Sequence, residues 1–250
     1  MTGFFIRTYR LYLLALLLPV LLMAAPSCSA GEAPLPLGAG FVSRNNVNVR
    51  GTPSLSGPVL GKLNVTEGEE LIVIGMSEGE DGEGWYHLLS ESLGEGWISA
   101  RYLRLEGEND PLLRFFLALR RDFGVNRAEG QKRLGKPLKK EERTFTPEDS
   151  KIKVVETELF YPDGSVTYWT FSGRDALFGF DFEEGERHFG PLAMGDDPDR
   201  VEEVLGAPEQ VKNRVWTYFS GMSRIHIGFD RDIRMDRFIF ERDLLNISRW

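Results

Sequence analysis

The side chains that could perform catalysis are few and scattered along this sequence. The three histidines, His87, His188 and His226, occur in neither an HxxxH nor an HExxH arrangement, so the spacing typical of zinc hydrolases is missing. The single cysteine, Cys28, lies near the N-terminus, away from any histidine that could activate it as a nucleophile. The sequence also lacks a G-x-S-x-G elbow and a P-loop.

Carboxylates are numerous, and two at a suitable separation could hydrolyse a glycosidic bond or contribute to a calcium site. The clusters are Asp181/Glu183/Glu184, Asp196/Asp197, Asp230/Asp232 and the acidic loop 79–83. With 38 Asp and Glu residues in the chain, a solvated acidic surface explains such clusters more simply. We therefore predict no catalytic residue, no metal ligand and no cofactor.

Four aromatic residues are better candidates for a functional surface. Trp85, Tyr86, Trp97 and Tyr102 could line a groove for a peptide, because recognition surfaces often use aromatic side chains. In the alternative interpretation Trp85 and Trp97 pack in a core or over one end of a barrel. Tyr86 and Tyr102 would then be the ligand contacts.

Short strands must position these aromatic residues. Apolar segments alternate with turns rich in glycine, proline and acidic residues. The segments are 47–50, 59–63, 71–74, 85–89 and 97–99. Short strands at this spacing predict an antiparallel barrel or sandwich.

The order of these segments resembles the bacterial SH3 (SH3b) domain. That family follows the pattern L-N-V-R-x-x-P-S, then G-W-Y-x-V, then G-W-V-x-x-x-Y-L. Here residues 47–54 are VNVRGTPS, residues 84–88 are GWYHL and residues 96–103 are GWISARYL. The resemblance implies an SH3-like barrel over residues 41–105 that binds a peptidoglycan peptide or a protein partner.

The second half of the sequence contains an internal repeat. Residues 124–137 are GVNRAEGQKRLGKP and residues 195–208 are GDDPDRVEEVLGAP, so the matching Gly, Leu-Gly and Pro recur at a constant offset. Each copy predicts a helix that ends at L-G-x-P, because glycine terminates a helix and proline cannot continue it. Three or four strands follow each helix.

This half, residues 112–250, resembles the BamE (SmpA/OmlA)-like and β-lactamase-inhibitor-like superfamily. The resemblance lies in Gly195, Val201, the L-G-A-P segment 205–208 and the W-T-Y segment 216–218. It implies a protein-binding scaffold with a concave sheet, and it transfers no catalytic residue.

Residues 1–27 are predicted to be a signal peptide. Arg7 and Arg10 precede the apolar run 11–25, whose length suits a signal peptide and is short for a membrane-spanning helix. The small residues before Cys28 resemble a relaxed lipobox, in which the cysteine is lipidated. Ordinary secretory cleavage near Ser27 or Ala30 would give Cys28 no such role, and both interpretations stay open.

The charge of the chain excludes several partners. The formal net charge is −8, and since Arg7 and Arg10 are the only charges in residues 1–27, the remainder carries −10. An acidic protein is a poor partner for nucleic acid or for anionic lipid. Membrane association is therefore predicted only through a lipid on Cys28.

The sequence thus predicts a mainly β protein with an α+β part: an N-terminal SH3-like β-barrel followed by an α+β tandem-repeat domain. The predicted segments are the signal peptide 1–27, a tether 28–40, the barrel 41–105, a linker helix 106–123, and repeats 124–190 and 191–250.

The predicted function is that of an exported, non-enzymatic adaptor in the periplasm or at the cell surface. Its partner would be a peptidoglycan peptide or an envelope protein. A cell-wall hydrolase or its regulatory subunit, and a structural scaffold without wall affinity, remain alternatives.

Overall fold

The computed structural model describes residues 33–80, 82–147 and 151–243. Within these residues seventeen β-strands accompany three α-helices, so the chain is mostly β as predicted. The predicted signal peptide and Cys28 lie outside the described residues.

The N-terminal part forms a seven-stranded antiparallel sheet in the order β3-β2-β6-β5-β4-β1-β7. Its strands are β1 (Gly38–Val42), β2 (Val47–Arg50), β3 (Val59–Leu63), β4 (Leu71–Glu78), β5 (Gly84–Ser90), β6 (Gly94–Ser99) and β7 (Leu103–Glu106). Val47 near one edge of the sheet and Leu103 at the other edge share one apolar core. The sheet therefore curls around that core as a barrel.

Side-chain alternation explains the barrel strands. In β2, Val47 and Val49 are buried while Asn48 and Arg50 are partly exposed, which is the two-residue period of a strand with one face in a core. Gly96 on β6 has a separate reason, because a Cβ atom there would lie 2.5 Å from Cγ1 of Val49. The close approach of β2 and β6 therefore requires glycine at this position.

Helix α1 (Pro111–Asp122) follows the barrel. The side chain of Asp110 caps it by accepting a hydrogen bond from the backbone N–H of Leu113 at 2.9 Å. Leu117 packs with Ala39, Ile72 and Leu89 of the barrel. Phe115, Phe116 and Leu119 join the core of the second half. The helix thus packs against both parts.

The second half contains an eight-stranded antiparallel sheet in the order β14-β15-β16-β17-β11-β10-β9-β8. It begins with α2 (Arg127–Leu134), β8 (Lys139–Phe145), β9 (Val154–Tyr161), β10 (Gly164–Phe171) and β11 (Arg174–Glu183). The short hairpin β12 (His188–Phe189) and β13 (Leu192–Ala193) comes next. The chain continues with α3 (Pro198–Leu205), β14 (Gln210–Lys212), β15 (Val215–Ser220), β16 (Ser223–Phe229) and β17 (Met235–Arg242).

The two four-stranded meanders meet at β11 and β17, where Phe180 pairs with Phe240. One face of the sheet packs on α1 and α3 around stacked phenylalanines, among them Phe123 and Phe180 with ring centroids 4.0 Å apart. The other face carries a smaller cluster around Trp169 and Phe171.

Buried charges connect the barrel to the second half. Oε1 of Glu91, in the barrel, accepts hydrogen bonds from Nη1 of Arg242 at 2.6 Å and from Nη2 of Arg120 at 3.0 Å. Arg120 also pairs with Glu70. Burial by itself would raise the pKa of Glu91, but Arg242 and Arg120 hold it below its usual value. The carboxylate therefore stays ionised between the two arginines.

Candidate functional site

The outer face of β5 and β6 presents a stacked pair of rings. Trp97 lies opposite His87 in the register, with ring centroids 4.4 Å apart and planes inclined by 6°. Nε2 of His87 is 2.9 Å from Oε1 of Glu95, and Arg50 of β2 lies opposite Trp97 on its other side. This group, the Trp97 platform, is a partly exposed aromatic surface with polar neighbours.

Sequence spacing alone did not group His87 with Trp97. The two residues meet because β5 and β6 are antiparallel neighbours in this particular register. The signal available in the sequence was the two-residue alternation, which puts Trp85 and His87 on the same face of one strand.

Trp85 lies in the same strand but is 1% exposed. Its Nε1 has no hydrogen-bond partner among the described residues, and the same holds for the hydroxyl of Ser99, which lies opposite it. Trp85 is thus closed off from a ligand by neighbouring atoms, although it lies on the same face of β5 as His87.

Tyr86 and Tyr102 both pack against the barrel core while staying partly exposed. The guanidinium of Arg44 lies 3.8 Å from the centroid of the Tyr102 ring, close enough for a cation–π contact. The backbone oxygen of Tyr102 accepts a hydrogen bond from the backbone N–H of Ser43 at 2.9 Å. Of the four predicted site residues, Trp97 therefore stands on the outer face and both tyrosines on the core side.

A cavity of about 390 Å³ lies on the free face of the second sheet. Trp169 and Phe178 stack at 4.0 Å in its wall, and Phe219 and Met222 contribute exposed apolar surface. The rim is polar, with Nε of Arg224 donating to Oε2 of Glu241 at 2.5 Å. We call this cavity the sheet cleft; its aromatic walls and polar rim are the usual composition of a binding pocket.

A second cavity, of about 340 Å³, opens at one end of the barrel. It lies between the end of β1 and the 3₁₀ turn Val65–Glu67. Its lining residues are Phe41, Val42, Ser43, Asn64, Val65, Gly68, Glu69 and Arg104. We call it the barrel-end cavity. It adjoins Tyr102 through Ser43.

Carboxylates from three of the acidic clusters noted in the sequence form ion pairs or hydrogen bonds within the fold. Asp181 and Glu183 both pair with Arg237, at 2.6 and 3.0 Å. Asp196 accepts a hydrogen bond from the backbone N–H of Ala193 at 2.8 Å. Asp230 accepts one from the backbone N–H of Asp232, also at 2.8 Å. The described residues contain no group of three or more His, Cys, Asp or Glu side chains placed to hold a metal ion.

Comparison with known families decides the nature of the barrel. Residues 45–104 match the bacterial SH3 domain family. The SH3b domain is a binding module, so the match indicates binding of cell wall or of protein in general terms. The match includes Trp85, Tyr86, Trp97 and Tyr102.

Comparison with solved structures gives a distant similarity over about half of the chain. A crystal structure of a DUF4309 family protein from Bacillus subtilis is 11% identical and covers 52% of this chain and 93% of its own, with a TM-score of 0.32. No curated protein matches the chain. The BamE-like resemblance of residues 112–250 stays a prediction. None of the helices in the described part of the chain is long and apolar enough to cross a membrane.

Proposed function

We propose that this protein is an exported, non-enzymatic binding protein of the bacterial cell envelope. Its SH3b domain would bind a peptidoglycan peptide or an envelope protein, and the match of residues 45–104 to that family carries the proposal. The positively charged N-terminal segment with its apolar run supports export.

The Trp97 platform is the proposed contact surface of the SH3b domain. Its rings are held in place by stacking and by the pair between His87 and Glu95. A ligand that packs on such a surface orders few additional side chains, which lowers the entropic cost of binding. Aromatic side chains of this kind often dominate binding energy.

The second half supplies the proposed second binding surface. We interpret it as two copies of one unit, because Asn126 and Asp197 both cap their helices and each helix leads into a four-stranded meander. Both helices end at a glycine with positive φ, 81° for Gly135 and 78° for Gly206. The sheet cleft is the proposed docking site for a protein partner.

A sedimentation assay with insoluble peptidoglycan tests the wall-binding role. The chain without residues 1–27 should pellet with the wall material, and Trp97→Ala should weaken that binding about tenfold. Phe219→Ala, an aromatic change in the sheet cleft, should pellet like the unchanged protein. Failure to pellet at every salt concentration would favour a scaffold without wall affinity. Clearing of a peptidoglycan zymogram by the purified protein would instead favour the hydrolase alternative.

A further inference from the structure

The last described residues of the chain form part of the sheet cleft. Asp243 lines the cleft together with Glu241 and Arg242. Its backbone N–H donates to the backbone oxygen of Met222, another residue of the lining, at 2.5 Å. Residue 244 is only one peptide bond further on, so the chain reaches its last seven residues directly at the cleft.

These seven residues, which we call the 244–250 segment, are rich in large apolar side chains. Their sequence is LLNISRW, in which four residues are large and apolar and Arg249 carries the single side-chain charge. Seven extended residues span about 23 Å, which is longer than a cavity of about 390 Å³ is wide. The segment can therefore reach every wall of the cleft.

The side-chain pattern of β17 indicates which residues of the segment would face the cleft. Phe238 and Phe240 belong to the core beneath the helices, whereas Glu241, next to Phe240, lines the cleft on the opposite face. Continuing this two-residue alternation along the sequence predicts that Leu245 and Ile247 lie on the same side as Glu241. Two apolar side chains of the segment are thus predicted to face the cleft.

The cleft presents matching apolar surface. Phe219 is 41% exposed and Met222 is 44% exposed, and the stacked rings of Trp169 and Phe178 form the wall beside them. Packing apolar side chains against this surface removes both from water. A segment of the same chain loses no translational freedom when it binds, so it has an advantage over a separate molecule.

We propose that the 244–250 segment fills the sheet cleft of its own chain, with Leu245 and Ile247 packed against Phe219 and Met222. A protein partner would then have to displace the segment before it could bind. The inference rests on the proposed docking role of the cleft only for this last consequence, and it goes beyond that role by naming the occupant.

An anisotropy titration with a labelled peptide tests the proposal. The probe is a synthetic peptide with the sequence of residues 244–250 and fluorescein at its N-terminus. It is titrated with the chain without residues 1–27 and with the same chain ending at Asp243. The shortened chain should bind the probe about tenfold more tightly, because the tethered segment competes for the cleft at an effective concentration of about 1 mM.

Substitutions in the segment provide a test in the chain that extends to residue 250. Leu245→Asp combined with Ile247→Asp should free the cleft, because a buried carboxylate without a partner is unfavourable. The affinity of this variant for the probe should rise to that of the shortened chain. Asn246→Asp adds a charge on the other side of the alternation and should leave the weaker binding unchanged.

Substitutions in the cleft locate the bound probe. In the shortened chain, Phe219→Asp should weaken binding of the probe about tenfold, because it replaces an apolar contact by a charge. Leu138→Asp introduces the same charge at an exposed residue outside the cleft lining and should not change the affinity. Since Phe219 is partly exposed, the urea unfolding midpoints of both variants should stay close to that of the unsubstituted shortened chain.

Several results would overturn the proposal. These are failure of the shortened chain to bind the probe, equal affinity of both chains for it, and unchanged affinity in Phe219→Asp. Sedimentation equilibrium tests another occupant, the segment of a second copy. If the longer chain is a dimer and the shortened chain a monomer, the segment fills the cleft of its partner and the intramolecular proposal is wrong.

This proposal and the proposed wall binding fail in different ways. If the shortened chain binds the probe as expected but the protein does not pellet with peptidoglycan, the wall ligand is wrong and the role of the segment stands. If the protein pellets in a manner that depends on Trp97 but the shortened chain ignores the probe, the role of the segment is wrong and the Trp97 platform stands.

Discussion

Trp85 and Trp97 are the same residue type on neighbouring strands, yet the barrel uses them differently. Trp85 is almost fully enclosed, whereas Trp97 is partly exposed and stacks on His87. Enclosed tryptophans contribute mainly to packing, because their large apolar surface is removed from water on folding. A partly exposed, ordered tryptophan still has apolar surface in water, and it can bury part of that surface against a ligand.

Alanine substitutions should separate these two roles. Trp85→Ala leaves a large void and should lower the free energy of unfolding by about 3–5 kcal/mol. Trp97→Ala should cost only about 1 kcal/mol, with its main effect on binding. Urea unfolding followed by circular dichroism measures both. Equal destabilisation by the two substitutions would contradict the distinction between an enclosed Trp85 and a partly exposed Trp97.

Gly130 allows another residue-scale test. A Cβ atom there would lie 1.7 Å from the hydroxyl oxygen of Tyr168, which itself donates to the backbone oxygen of Phe123 at 2.7 Å. Gly130→Ala should therefore destabilise the protein by about 2 kcal/mol or more, despite the better helix propensity of alanine. Combining it with Tyr168→Phe, which removes that hydroxyl, should restore part of the loss. If the losses in unfolding free energy caused by the two substitutions were additive in a double-mutant cycle, the clash with the Tyr168 hydroxyl would not be the cause.

At the scale of elements, α1 is the central piece of the architecture. One side packs on β1, β4 and β5 of the barrel through Leu117, and the other packs on the second sheet through Phe115 and Phe116. Arg120, in its last turn, completes the buried ion pairs. Because side chains on both its faces are buried, the helix does more than link the two parts of the chain.

The buried ion pairs predict a pH dependence. Since the pKa of Glu91 is lower in the folded than in the unfolded chain, its ionisation stabilises the fold above the unfolded pKa. That contribution is lost as the pH falls through the folded pKa. Glu91→Gln should therefore reduce stability at neutral pH by about 3 kcal/mol and make stability less sensitive to pH below about 4. Urea midpoints from neutral to acidic pH measure both effects; an unchanged acid profile would contradict the prediction.

At the scale of the whole molecule, the SH3b domain and the second sheet are not independent units. Glu67 of the barrel pairs with Arg174 of the β10–β11 hairpin at 3.4 Å, and Glu91 pairs with Arg242 of β17. Ala39, Ile72 and Leu89 on the outside of the barrel are covered by α1 and Val125. The barrel alone would expose these side chains.

The two parts should consequently unfold together. We expect a single urea transition with coincident curves from tryptophan fluorescence and far-UV circular dichroism. Residues 33–106 alone should be less stable than the same barrel in the complete chain, because burial of the outer apolar patch is lost. Two separate transitions in the complete chain would show that the contacts through α1 contribute little.

The sequence determined much of the local structure. The glycine-tryptophan motifs and turn residues were enough to predict the SH3b barrel, because tight turns and close strand approaches admit few residue types. The L-G-x-P motifs correctly placed the ends of α2 and α3, since glycine at positive φ terminates a helix. The turns and helix ends depend on contacts between residues near one another in the chain.

Only the tertiary structure decided which of the candidate residues lie next to one another. The stacking of Trp97 on His87 depends on strand register, and the barrel-end cavity is built from residues of β1, the 3₁₀ turn and β7. The ion pairs among Glu91, Arg120 and Arg242 join residues far apart in sequence. Side-chain type constrains what each residue can do. Long-range packing sets its neighbours and its exposure, and this difference separates the enclosed Trp85 from the partly exposed Trp97.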